Sequence, residues 1–188
     1  MPKLKYISAT YLLLLFLLTS CASDCPYLSD SQEPTKKMTR CDQVKVLTIG
    51  SSCRMFIAAE DSETHVGLAV KQNEEYKVEV PDSNQVWKDC TRRSFPLCGE
   101  PGSWLMNTFF TKKLPDALWF SVIAEVKPVD DKKSTSYNLC GEKSNRDTAR
   151  TATFEVVNDG ELIMYPNDAE CHYDNNRGKI WLEIQRVK

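Results

Sequence analysis

Between Lys179 and Arg186 the side chains alternate, with Ile180, Leu182 and Ile184 against Lys179, Trp181, Glu183 and Gln185. A β-strand sends successive side chains to opposite faces, so a period of two predicts a strand with one buried face. The same period recurs in Tyr76-Lys77-Val78-Glu79-Val80. Apolar runs of strand length occupy residues 44–49 (VKVLTI), 54–59 (RMFIAA) and 119–126 (WFSVIAEV). Residues 153–157 and 161–165 flank Asn158-Asp159-Gly160, a strong turn signal. Beyond residue 20 no long stretch follows the helical period. Short strands separated by Gly, Pro and Asn turns predict an all-β sandwich.

A sandwich of one domain needs enough apolar material for a core, and 41% hydrophobic with 10% aromatic residues supplies it. The domain is placed at residues 43–188, with long loops over 90–118 and 129–151. A net charge of −2 argues against a nucleic-acid partner bound through a basic surface. Two histidines leave few options for a nucleophile–base pair, and no G-x-S-x-G, P-loop or H-E-x-x-H motif occurs. The chain is therefore read as a binding protein, not an enzyme.

The first twenty residues read as an export signal. Lys3 and Lys5 precede the apolar run 11–18 (YLLLLFLL), which is shorter than the roughly 20 residues of a spanning helix. Leu18-Thr19-Ser20-Cys21 resembles the lipobox of bacterial lipoproteins. That resemblance implies a signal peptide at 1–20, lipidation (palmitate among the chains) at Cys21 and a polar tether over 21–42. It implies a place in the bacterial cell envelope, anchored in a membrane. Asp24 lies two positions beyond the place associated with inner-membrane retention, which leans toward the outer membrane, with the domain facing the periplasm or the surface.

With Cys21 assigned to lipid, Cys25, Cys41, Cys53, Cys90, Cys98, Cys140 and Cys171 remain. An odd number permits at most three disulfides within the chain and leaves one thiol over. No C-x-x-C pair points to zinc or redox chemistry, so disulfide staples are expected, with connectivity open.

The segment from Tyr165 to Gly178 carries the chemistry. It offers Asp168, Asp174, Asn175 and Asn176, hard oxygen donors of the kind calcium selects, although Asn, Asp and Gly also build plain polar turns. Its pattern is Asn167-Asp168, six residues, then Asn175-Asn176-Arg177-Gly178 and the alternating strand. This resembles the calcium loop of PA-I type galactose-binding lectins and of related bacterial extracytoplasmic domains. Upstream, Tyr76-Lys77-Val78-Glu79-Val80 and Trp87-Lys88-Asp89 fit the family pattern more loosely, as do 117–126 and 137–141.

The resemblance implies a calcium-dependent, jelly-roll-like β-sandwich that binds carbohydrate. Asp168, Asn175 and Asn176 would give side-chain oxygens to Ca2+, and His172 and Cys90 would give carbonyls. Asp168 and Asn175 would also contact the sugar. The family's sugar-selecting loop presents His and Gln; the corresponding loop here has no His and offers Arg92, Arg93, Trp104 and Asn107. Trp104 and Arg92 are the expected sugar contacts. Cys90 and Cys171 fall beside the loop, as a brace or with one of them as the free thiol. The expected partner is a glycan. The alternative is an envelope protein, bound or inhibited in the manner of an immunity protein, with calcium structural or absent.

Replacing Cys21 by serine should move the protein from the membrane fraction to the soluble one. Unchanged fractionation would rule out lipidation at that residue.

Overall fold

The computed structural model describes residues 38–82, 85–89, 92–94, 97–130, 132–140, 150–170 and 172–188, with the backbone alone for 92–94. Cys21, Cys25, Cys90 and Cys171 lie outside them, as do the signal and most of the tether.

Eleven strands are formed by the described residues: β1 (Ser52–Ala58), β2 (Thr64–Val70), β3 (Glu75–Glu79), β4 (Trp87–Asp89), β5 (Arg92–Ser94), β6 (Val122–Lys127), β7 (Thr135–Asn138), β8 (Thr151–Glu155), β9 (Gly160–Pro166), β10 (Asn176–Arg177) and β11 (Lys179–Arg186). One short helix, α1 (Trp104–Phe109), lies between β5 and β6. Two four-stranded sheets run in the orders β1-β11-β3-β8 and β2-β9-β6-β7, and a small third sheet runs β10-β4-β5. Every paired strand is antiparallel.

The alternation in β11 has the predicted consequence. Ile180, Leu182 and Ile184 are fully buried, and the strand lies between β1 and β3. They share one core with Ile57, Val78, Leu68, Leu162, Met164, Val122 and Val126, drawn from both large sheets. The all-β, jelly-roll-like sandwich expected from the sequence is the observed architecture. Trp181 points the other way and meets Phe56 edge-on, 5.4 Å between centroids, on the outer face. Strand β6 is buried on both sides because a second cluster, Ala117, Ile123, Ile163 and Tyr165 with Leu114, covers its outer face.

Several expectations change: the segment 90–118, expected as a loop, carries β5 and α1, and the segment 129–151 carries β7. Residues 44–49 are not a strand. Only Leu47 of this run is fully buried, Lys45 sits at φ 62°, and the backbone crosses from β2 to the end of β11 (Ala69 N to Lys45 O 2.8 Å, Gly50 N to Arg186 O 2.7 Å). Single bonds to two different strands build no continuous ladder, so the run is not a strand. The strand expected from Trp119 begins at Val122 instead. Phe120 adopts φ 60°, and its N–H is taken by Asn167 O at 2.8 Å. The turn at Asn158-Asp159-Gly160 does not join paired strands: β8 pairs with β3, and β9 with β2 and β6, so the chain changes sheets there.

The expected staples are present. Cys41 pairs with Cys53 and Cys98 with Cys140. The first ties the segment before β1 to that strand; the second ties the loop before α1 to the end of β7. Among the described residues no helix is long and apolar enough to cross a membrane.

Leu182→Ala should cost about 2–5 kcal/mol, because it empties a fully buried position in an inner strand. The chemical-denaturation midpoint measures it, and a loss under about 1 kcal/mol would contradict the packing described.

Candidate functional site at the β9–β11 connection

Strand β9 ends at Pro166, and the next two residues are polar yet buried. Burying a polar group is costly unless it finds partners. Asn167 finds several. Its Oδ1 accepts from Leu114 N (2.8 Å), and its Nδ2 donates to Leu114 O (2.9 Å) and Leu118 O (3.0 Å). This one side chain pins the 114–118 segment to the end of β9.

Asp168, 3% exposed, turns the other way. Its Oδ1 accepts from Ala169 N (2.7 Å) and its Oδ2 from Asn176 Nδ2 (2.7 Å). The loop closes over itself through Tyr173, whose hydroxyl donates to Pro166 O at 2.7 Å. A 3-10 turn, Tyr173–Asn175, leads into β10, which pairs with β4 in the register Asn176↔Asp89. Gly178 then joins β10 to β11 at φ +103°, where a Cβ would also press on Val86 O at 3.2 Å. The glycine of the Asn-Asn-x-Gly pattern is thus required by the backbone.

Two oxygens at this site stand out. Asn176, fully buried, spends its Nδ2 on Asp168 Oδ2 and on Ala59 O (3.2 Å), while its Oδ1 has no hydrogen-bond partner. Asn175 gives its Nδ2 to Asp89 Oδ1 (3.0 Å), and its buried Oδ1 is likewise unpartnered. A buried acceptor left without a donor costs roughly 1–3 kcal/mol. Two occur on adjacent residues, one of which is hydrogen-bonded to the buried Asp168 carboxylate, and a cation is a partner that could satisfy such oxygens. The donors are hard, as calcium requires. The set is rich in amides: no group of three or more His, Cys, Asp or Glu suited to a metal occurs among the described residues.

The electrostatics agree with that need. Burial pushes the Asp168 carboxyl up to about 6, opposed by its hydrogen bonds from Asn176 and Ala169 and aided by the negative charge of Asp89. The Tyr173 hydroxyl is raised as well, chiefly by burial.

The structure joins Asp168 to Asn176 by a hydrogen bond, sets Asn175 beside Asn176 in the chain with its amide on Asp89, and places His172 in the same loop. The His172 ring is packed edge-on against Phe110, 4.6 Å between centroids, and the backbone N–H of His172 donates to Ala169 O (2.9 Å). Phe110 follows α1, so the helix abuts this loop. Trp104 begins α1 and is 74% exposed, about 9 Å along the helix from that contact. Arg92 lies opposite Asp89 in the β4–β5 register. Cys90 is outside the described residues.

Sequence reasoning missed two participants. Asn167 entered only as part of a pattern, and its loop-pinning role depends on a segment some fifty residues away. Asp89 entered as part of Trp87-Lys88-Asp89, with no sign that it would touch Asn175.

No protein-family profile matches the chain, and no curated protein matches it. Among solved structures it is similar to a chain described as "EclA N-terminal domain; PllA-like lectin", with 15% identity and a TM-score of 0.47. The match covers 71% of this chain and 94% of that one. A likeness of this size carries no argument about the ligand.

Asp168 makes the metal-free protein pH-sensitive in a defined direction. Its pKa rises on folding from the ordinary carboxylate value of 3.8 to about 6. The stability it contributes is therefore full below pH 4 and lost as pH rises through 6, by on the order of 3 kcal/mol. In chelator, the stability of wild type relative to Asp168→Ala should fall between pH 4 and pH 7. Parallel profiles would contradict this.

Proposed function

We propose that this chain is a cell-envelope lipoprotein whose β-sandwich binds carbohydrate through a calcium ion held between β9 and β11. The observation that carries the proposal is the pair of unpartnered, buried amide oxygens on Asn175 and Asn176 beside the buried carboxylate of Asp168. Asp168, Asn175 and Asn176 would hold the ion with side-chain oxygens, and His172 and Cys90 with carbonyls. Calcium accepts six to eight oxygens, so a bound ion would leave room for two neighbouring sugar hydroxyls in place of water.

The protein's own residues do the rest. Asn167 and Tyr173 hold the loop closed, so the oxygens are arranged before any ligand arrives. Trp104, exposed on a helix that abuts the loop, supports a stacking role against the apolar face of a sugar. Arg92, opposite Asp89, is the second proposed sugar contact. Binding, without turnover, is the activity proposed. The lipobox-like Cys21 supports a membrane anchor, and the outer membrane is the proposed location.

An envelope protein partner is the second reading. The exposure of Trp104, Leu105 and Phe109 together on α1 favours it, since clustered apolar side chains suit a protein contact.

Calcium at 100 times its Kd should stabilise the full chain by about 2.7 kcal/mol, with chelator reversing the gain and Asp168→Ala abolishing it. Retention on immobilised galactose or on a glycan array should vanish with chelator and weaken in Trp104→Ala. Absence of any calcium stabilisation would sink the metal site. Intact calcium binding with a silent glycan array would turn the assignment to a protein partner.

A further inference from the structure

We propose that Asp89 is a positioning residue and second carboxylate of the β9–β11 site, aiming the Asn175 oxygen at the cation and adding a negative charge behind it. This role rests on the calcium reading above.

Asp89 is the last residue of β4, and the β10–β4 register sets it across from Asn176. Its Oδ1 accepts from Asn175 Nδ2 at 3.0 Å. An amide has one donor end and one acceptor end, so capturing the nitrogen fixes where the oxygen points. The captured orientation is the one that leaves Asn175 Oδ1 buried and unpartnered. Asn176 is oriented the same way by Asp168 and Ala59, which occupy both hydrogens of its Nδ2. Each of the two unpartnered oxygens is therefore presented by a carboxylate that holds the opposite end of its amide. Asp89 is also close enough to Asp168 for its charge to be felt there. A second carboxylate near Asp168 adds charge of the sign that attracts a cation.

The two contributions separate experimentally. Asp89→Asn keeps an acceptor for Asn175 Nδ2 and removes the charge; Asp89→Ala removes both. The full chain is titrated with calcium chloride by calorimetry and with terbium chloride by luminescence. Outer-shell partners of metal ligands typically matter by about 10- to 100-fold in affinity. Asp89→Asn is expected near the lower end for calcium, and Asp89→Ala nearer the upper. Coulomb energy scales with the charge of the ion, so the loss caused by Asp89→Asn should be larger for trivalent terbium than for calcium. Should Asp89→Ala fail to fold, Asp89→Asn alone carries the comparison. Losses under twofold for both ions, or equal losses for both in Asp89→Asn, would overturn the role of Asp89 while wild-type binding stands. A wild-type chain silent toward both ions would overturn the calcium reading itself, and the role of Asp89 with it.

Discussion

Three buried polar side chains at one end of the sandwich, Asn167, Asp168 and Asn176, organise much of what surrounds them. Each must find partners inside the protein, and the partners come from distant parts of the chain. Asn167 draws the 114–118 segment onto the outer face of the β6–β9 pair, where Leu114 and Ala117 cover Ile123 and Ile163. Asn176 reaches Ala59 beyond β1. Asp168 joins the two ends of the loop by accepting from Asn176. The small β10-β4-β5 sheet exists within this arrangement, and its register delivers Asp89.

The cluster is underfilled in a specific sense. Its hydrogens are used: the Nδ2 groups of all three asparagines at the site donate to acceptors. Its oxygens are in excess, with two amide acceptors unpartnered and a carboxyl raised by burial. Surplus buried oxygens are the kind of donor a hard cation takes. The tertiary cost of that surplus is borne by the core beneath, where β11 lies between β1 and β3 with its inward side chains buried.

Much of the fold was legible because its signals are local. Alternation in β3 and β11 comes from neighbouring residues and needs no knowledge of the partner strand. The spacing from Asp168 to Asn175 and Asn176 was likewise within one segment, and the structure joins Asp168 to Asn176 by a hydrogen bond while Asn175 turns its amide to Asp89. The failures were non-local. Residues 44–49 have strand composition, but the chain there spans from β2 to β11 without a ladder. The start of β6 was displaced because Asn167 captures the backbone at Phe120. The turn at Asn158-Asp159-Gly160 was visible, yet which sheet each flanking strand would enter was not.

By itself, the sequence determined the class of structure, the loop that would carry the oxygens and the need for disulfide staples, since periodicity, residue chemistry and cysteine number are properties of the chain. Tertiary structure decided the pairings Cys41–Cys53 and Cys98–Cys140, the pinning by Asn167 and the placing of Asp89 beside Asn175. Those outcomes depend on which distant segments are brought within a few ångströms. Only the packing of two sheets around one core fixes that.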